Sequence, residues 1–544
     1  MQRFKMRGIG FIMTVVLFLF VASLHAQNVE TNMIKYGRLM QLIENYYVDT
    51  ANIDKLTENA VVEVLGKLDP HSVYISKDEV REMNEPLEGN FEGIGISFNI
   101  LRDTLLVVTT IPGGPSEKAG LMPGDRIMVI DEKPVAGTGL KNSDVMSMLR
   151  GQKGTRVHLK IKRGNEKELI DFTLVRDKIP LYSLDAAYML NDHSGYIKLN
   201  RFSATTTEEF TEAIGKLKKN QGFKNLVLDL RGNGGGYLKA AIEMADQFLG
   251  ARRLVVYTEG VHEPRKDYNA SALGEFEEGR LVVLIDEGSA SASEIVAGAM
   301  QDWDRGIIIG RRSFGKGLVQ QPFPLTDGSL IRLTTAHYYT PSGRGIQKPY
   351  DKGVDEYRKD YLNRFESGEL FTRDSIQVDK NQLFNTLKNK RVVYGGGGVM
   401  PDIFVPMDTS IHYKFYNLLV RQNILYSATL DYLISNRREL SVKYKEFRDF
   451  DDHFEVGGQF IDDMLKEAEK GKIEKDEAGV NFARPLIRKQ VKALLARDLY
   501  GPDYYYRVMN KDEAIIEKAL EVLNEPAEYE HLLAEKLNNA GSDL

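Results

Sequence analysis

Two residues of this 544-residue chain have the type and the setting for acyl-transfer chemistry, Ser291 and Lys316. An apolar run, Leu281 to Ile285, feeds a turn of small residues, and a helical segment follows from Ala292 to about Gln301. Ser291 therefore stands where a strand hands over to a helix. The first N–H groups of a helix lack internal partners, and the helix dipole favours negative charge there. A hydroxyl at such a place can become a nucleophile, and neighbouring amides can hold an oxyanion. A second apolar run, Gly306 to Gly310, leads to Phe314-Gly315-Lys316-Gly317. A lysine between two glycines sits on bent backbone. Burial lowers its pKa from ~10.4, so that the free amine can act as a base near neutral pH. The competing readings are a helix cap at Ser289 or Ser291 and an ordinary loop lysine at 316.

The combination resembles something specific. Ser289-Ala290-Ser291-Ala292-Ser293-Glu294, followed by Phe314-Gly315-Lys316-Gly317-Leu318-Val319-Gln320, is similar to the active site of the carboxyl-terminal processing peptidases. These are serine proteases that join a PDZ domain to a Ser/Lys core. The resemblance implies that Ser291 is the nucleophile and Lys316 the general base, 25 residues apart as the family pattern requires. It implies that Gln320 helps to position the lysine. It also implies an oxyanion hole made by the amide of Ala292 with that of Gly234 or Gly235. The likeness runs over roughly residues 35 to 407 and includes Leu68-Asp69-Pro70-His71-Ser72. It implies a multidomain α+β chain: a crotonase-like ββα protease core with an inserted PDZ domain, between helical N- and C-terminal regions. No metal or organic cofactor is required.

Elements able to position these residues can be read along the chain. Residues 27–88 form a helical lead-in, with an apolar stripe of Met33, Leu39, Ile43 and Tyr47 and a second helix ending before Pro70. His71 has a turn role there. Residues 89–178 read as a compact β-rich module that resembles a PDZ domain, through Gly93-Ile94-Gly95-Ile96 and Gly114-Pro115-Ser116…Gly124-Asp125. Consecutive amides in such a glycine turn form a nest for a terminal carboxylate. The peptide adds to the Ile94–Phe98 edge, with Val145 and Leu149 expected to line the groove. Residues 179–407 form the core. Strand, glycine-rich turn and helix occur twice, at Lys224–Leu249 and Leu281–Met300, so a mostly parallel sheet is predicted, with both turns at carboxyl strand ends. Asp229 and Arg231 are expected as structural neighbours. Residues 351–390 read as a flexible insertion, and residues 391–407 as a strand pair around a glycine turn. From 408 to 544 at least four helices follow, forming a domain with no chemistry of its own.

Other chemistries fit less well. A Ser-His-Asp arrangement has His193, His262 and His337 to draw on, but the chain has no G-x-S-x-G elbow. The sequence Ser313-Phe314-Gly315-Lys316 matches S-x-x-K, yet the glycines oppose the helix that motif opens, and K-T-G is absent. Gly232–Gly236 lacks the spacing of a nucleotide loop. An acyl-CoA enzyme of the crotonase type needs neither a PDZ module nor a secretory signal. A non-catalytic PDZ scaffold that recruits proteins at a membrane remains the alternative class.

Composition bounds the rest. The hydrophobic fraction is 42% and the charged fraction 28%, ordinary for globular protein. A net charge of −6 argues against a nucleic-acid surface. The absence of cysteine excludes thiol catalysis and disulfides. Arg3, Lys5 and Arg7 precede an apolar run from Ile9 to Leu24, so residues 1–26 are read as a signal peptide, with an N-terminal anchor as the alternative. The expected setting is periplasmic or secreted and close to a membrane. The expected partners are proteins with apolar C-termini, and homo-oligomers or adaptors docking through the C-terminal helices.

Overall fold

The computed structural model describes residues 29–534 except 102, 165, 408–412, 472 and 474–476. The signal-peptide expectation for residues 1–26 lies outside the described residues. No helix among those described is long and apolar enough to cross a membrane.

The core is a six-stranded sheet in the order Leu184–Met189, Ser194–Leu199, Asn225–Asp229, Arg280–Ile285, Ile307–Gly310, Ile403–Phe404. Only the first pair is antiparallel. Every residue of Ser194–Leu199 and Asn225–Asp229 is buried, as a parallel sheet covered on both faces requires. Alternate side chains go to opposite faces. Ile197, Leu228, Val283 and Ile308 pack under helices Thr206–Leu217, Leu238–Asp246 and Ala292–Asp302. Tyr196, Val227, Leu284 and Ile309 pack against Ile515, Ile516, Val522, Leu523 and Tyr529, from helices Ala514–Asn524 and Pro526–Ala534.

A second, antiparallel sheet stands beside the carboxyl ends of these strands. Its long strand, Leu330–Tyr339, pairs with Leu318–Pro324, Leu254–Glu259 and the short strand Val73–Ile75. The lead-in helices 29–46 and Ile53–Gly66 precede that short strand. The stripe expected to be core is not core, since Met33, Leu39 and Tyr47 are exposed.

The β-rich module contains the strands Ile96–Leu101, Thr104–Thr110, Arg126–Ile130, Arg156–Lys162 and Ile170–Val175. It joins the core through the pair Asn90–Gly93 and Asp177–Pro180. Leu105 and Val107 face its own core, while Leu106 and Val108 pack into the C-terminal helical cluster. That double burial accounts for the unbroken apolar run in this strand.

Two expectations are corrected. Residues 391–407 do not form one strand pair. Val392–Tyr394 pairs instead with Leu383–Asn385, and Ile403–Phe404 joins the parallel sheet beside Ile307–Gly310. The insertion is not a loose excursion, for it carries the helix Val354–Glu366, whose Tyr357 and Arg364 are buried.

Candidate active site

The turn after strand Arg280–Ile285 gives Ser291 an unusual backbone. Its φ is +56° and its ψ −111°, outside the wells open to an ordinary side chain. Such a conformation costs roughly 1–3 kcal/mol and persists only where the surroundings impose it. Here the surroundings are tight. A Cβ on Gly235, whose φ is +100°, would meet Ala290 O at 2.8 Å, Ser291 Cβ at 2.9 Å and Ala292 N at 3.0 Å. Only glycine lets the two turns approach so closely. The Gly235 amide donates to Asn233 Oδ1 at 2.9 Å. Among the described residues, the amides of Ala292 and Gly234 have no protein acceptor.

One carboxylate ties the serine turn to the lysine loop. Glu294 Oε2 accepts from Ser291 N at 2.8 Å and from Lys316 N at 2.9 Å. Those two nitrogens therefore lie less than about 6 Å apart, given one shared acceptor at hydrogen-bond range. Glu294 Oε1 accepts from Ser313 Oγ at 2.5 Å and Gly315 N at 2.7 Å. Tyr338 closes the opposite side, its hydroxyl 3.0 Å from Ser291 O and 2.6 Å from Lys316 O. Burial raises the Glu294 carboxyl above its ordinary range, against the hydrogen bonds that favour its charge.

Burial lowers the Lys316 pKa, and the nearby Arg332 guanidinium lowers it further; Glu294 and Asp69 oppose both. The result is an amine that sheds its proton more readily than an exposed lysine. His71 is held down to about 4 by burial and by the charge of Lys316, against Asp69. It is neutral at working pH, and its Nε2 sits 2.9 Å from the Tyr357 hydroxyl.

The sequence reading gave Gln320 a part in positioning the lysine. Its amide donates to Thr334 Oγ1 at 3.3 Å, and Thr334 in turn donates to Asp69 Oδ1 at 3.0 Å. Asp69 also accepts from the amides of His71 and Ser72, which fixes the Asp69-Pro70-His71-Ser72 turn against the long strand. Gln320 lines a cavity of about 810 Å³ with Tyr237, Val319 and Ala336.

The rival serine is excluded as a free hydroxyl. Ser313 is fully buried, donates to Glu294 and accepts from Val399 N at 2.7 Å. His337 is exposed on its strand, His262 is exposed in a loop, and His193 contacts Gly222 O; among the described residues none of them hydrogen-bonds Ser291. Asp229 lies fully buried between Arg231 at 2.6 Å and Lys198 at 3.2 Å, while Arg231 also pairs with Glu513 at 2.5 Å. The Asp229–Arg231 pair is thus a brace beneath the glycine turn.

In the β-rich module, Gly93, Ile94, Gly95, Ile96, Met146, Leu149 and Arg150 surround a groove of about 120 Å³. Val145 does not line it. Val145 is 1% exposed and belongs to the module's core. Successive helix residues turn by about 100°, which hands the groove to Met146.

The side chains missed by sequence reading are Glu294 and Tyr338. Glu294 stood in plain view in the motif, but a glutamate in a helix's first turn reads as a cap.

Comparison with known proteins adds to this geometry. Peptidase family S41 matches residues 193–356, the PDZ domain matches 93–174, and a family of unknown function matches 415–501. The chain is 35% identical over 369 residues to a carboxy-terminal processing protease of Bacillus subtilis, covering 66% of this chain and 74% of that one. It is 36% identical over 337 residues to a carboxy-terminal-processing protease of Bartonella bacilliformis, covering 61% and 76%. Among solved structures it is similar to a photosystem II D1 C-terminal processing protease, at 29% identity and a TM-score of 0.33 over 57% of this chain and 88% of that one.

Proposed function

The chain belongs to the carboxy-terminal processing proteases of peptidase family S41, and on that premise we propose that Ser291 and Lys316 form its catalytic dyad. The observation that carries this reading is the single carboxylate, Glu294, that accepts from the backbone of both residues. Neutral Lys316 takes the proton of the Ser291 hydroxyl as Oγ attacks the scissile carbonyl. The negative oxygen of the tetrahedral intermediate lies toward the Ala292 amide, with Gly234 as its second donor because the Gly235 amide already serves Asn233. The lysine ammonium then protonates the leaving amine. Water attacks the acyl-enzyme, giving a proton to Lys316, and the lysine ammonium passes it to Ser291 Oγ as the ester bond breaks and the carboxylic acid product leaves. The low lysine pKa that burial produces supports a neutral-to-alkaline optimum.

The substrate is a protein whose apolar C-terminus docks in the PDZ groove, its carboxylate at Gly93–Ile96 and its side chain against Met146 and Leu149. The chain then runs over the cavity at Tyr237 and Gln320 toward Ser291. A leader at residues 1–26 sends the enzyme across a membrane, to a periplasmic or secreted setting. The core is of the crotonase-like ββα kind, and the C-terminal helices are the surface for a second copy or an adaptor.

The test is labelling by a fluorophosphonate, mapped by mass spectrometry, with casein digestion alongside. Wild type is expected to carry the label on Ser291 and to digest casein. Ser291→Ala and Lys316→Ala are expected to do neither. Digestion by Ser291→Ala refutes the assignment, and no digestion by any form, wild type included, favours the PDZ scaffold.

A further inference from the structure

The inference concerns the helix Val354–Glu366, in the segment whose sequence gave no role. It lies against the loop that carries Lys316. Arg364 is 3% exposed, and its guanidinium donates to three consecutive backbone carbonyls. Nη1 reaches Arg312 O at 3.3 Å and Ser313 O at 2.9 Å, and Nη2 reaches Phe314 O at 3.2 Å. The next carbonyl, Gly315 O, accepts from Lys348 N at 3.0 Å, and Lys316 O accepts from Tyr338. The amides are matched as well. Ser313 N donates to Val399 O, Phe314 N to Ser289 O, and Gly315 N and Lys316 N to Glu294. From Ser313 to Lys316, every backbone N–H and C=O has a partner.

Behind this contact stands a set of charges with no place in the acyl-transfer scheme. Asp360 Oδ2 lies 2.9 Å from both Arg364 Nε and Lys348 Nζ. The Lys348 ammonium sits over the rings of Phe314 and Tyr357, 3.9 and 4.2 Å from their centroids. Glu369, just past the helix, grips Arg312 through two contacts of 2.7 Å. Buried arginine is costly unless its donors are used. Here Nη1 and Nη2 are spent on backbone carbonyls that a glycine-flanked loop would otherwise leave free to move, while Nε has the Asp360 carboxylate beside it as an ion pair and makes no hydrogen bond. A lysine ammonium, a point donor on a flexible stem, cannot replace that planar fork.

We infer that Arg364 is a positioning residue for Lys316, and that helix Val354–Glu366 is part of the catalytic apparatus: it fixes the backbone from which the lysine amine projects. This rests on the assignment of Lys316 as the base. Full-length Arg364→Ala and Arg364→Lys are to be compared with wild type for kcat, KM, the pH dependence of kcat and the thermal midpoint. For Arg364→Ala, kcat is expected to fall roughly tenfold to a hundredfold. KM should stay within about twofold, since the peptide contacts are untouched. The acid limb of the profile should move to higher pH, because a lysine loosened from its buried position is better hydrated and its pKa rises. Added guanidinium at millimolar concentration should restore part of the Arg364→Ala rate and leave wild type unchanged. Arg364→Lys should fall between the two, with its acid limb also shifted.

A wild-type rate and acid limb in Arg364→Ala overturn the inference. So does a lower rate with an unmoved acid limb and no guanidinium response, the signature of a purely structural role. If Arg364→Ala does not fold, Arg364→Lys decides by the same limb: a shift supports the inference and no shift overturns it. Lys316→Ala separates the two levels, since full activity there refutes the base assignment itself.

Discussion

Replacing Glu294 by glutamine tests whether one carboxylate aligns the two halves of the proposed dyad. The wild-type side chain offers acceptors only, to Ser291 N and Lys316 N on Oε2 and to Ser313 Oγ and Gly315 N on Oε1. Glutamine must turn an NH2 group toward one of these pairs. The cheaper choice keeps oxygen toward Ser291 and Lys316, because the Ser313 hydroxyl can rotate and the amides cannot. Gly315 N–H is then buried without an acceptor, at about 1–3 kcal/mol, and two surviving bonds lose their charge at about 1 kcal/mol each. Relief of the buried charge returns part of this. A net loss of about 2–4 kcal/mol, felt in the transition state, slows acylation by about thirtyfold to a thousandfold at ~1.36 kcal/mol per decade. The assay is the fluorophosphonate acylation rate of Glu294→Gln at a pH where Lys316 is neutral, with the folded fraction followed by near-UV circular dichroism. An acylation rate within about threefold of wild type, in folded protein, refutes the reasoning.

Protonation does to Glu294 what the substitution does, which yields a signed pH prediction. Its folded-state pKa is raised by burial, so the folded protein binds this proton more tightly than the unfolded chain. This group's contribution to stability is therefore fully present below its unfolded pKa and is lost as pH rises through the folded value. Thermal melts of wild type and Glu294→Gln across acidic pH should show wild type losing this contribution as pH rises.

Three further outcomes are expected. Lys316→Met should raise the thermal midpoint at neutral pH, because the folded pKa of Lys316 lies below the unfolded one and wild-type stability rises with pH through that window; thermal melts across pH should show the gap closing toward pH ~10. Gly235→Ala should lower kcat by about a hundredfold or more with little change in KM, since its methyl group would stand 3.0 Å from Ala292 N, in the proposed oxyanion site; steady-state kinetics check this. In the PDZ module, Met146→Ala should raise KM for tail-bearing substrates while Val145→Ala should cost about 2 kcal/mol of module stability instead, and peptide titration with denaturant melts distinguishes them.

Much of this architecture was legible because local and global signals agreed. Runs such as Leu226–Leu228 and Leu281–Ile285 are apolar throughout, and only a strand covered on both faces asks for that. Ser291 and Lys316 stood out because small residues and glycines flank them, which bent backbone demands. Other features gave no local sign. Arg364 acts on carbonyl groups, so no partner side chain betrays it in the sequence. The choice between Val145 and Met146 turns on a single step of helix phase. The exposed stripe at Met33, Leu39 and Tyr47 has the right period for burial, yet period alone does not supply the surface that covers it.

Helices Ala514–Asn524 and Pro526–Ala534 cover a sheet whose strands lie more than two hundred residues earlier, except for Ile403–Phe404. Until residues 514–534 are in place, the segment 184–310 lacks its roof. Its nascent sheet keeps one greasy flank bare, a state that invites chaperones rather than turnover. Glu513, which grips the arginine beneath the glycine turn, arrives at the same late moment. Completion of the core is thereby tied to the arrival of residues 514–534, and a chain cut before residue 514 has Ser291 but not the finished fold around it.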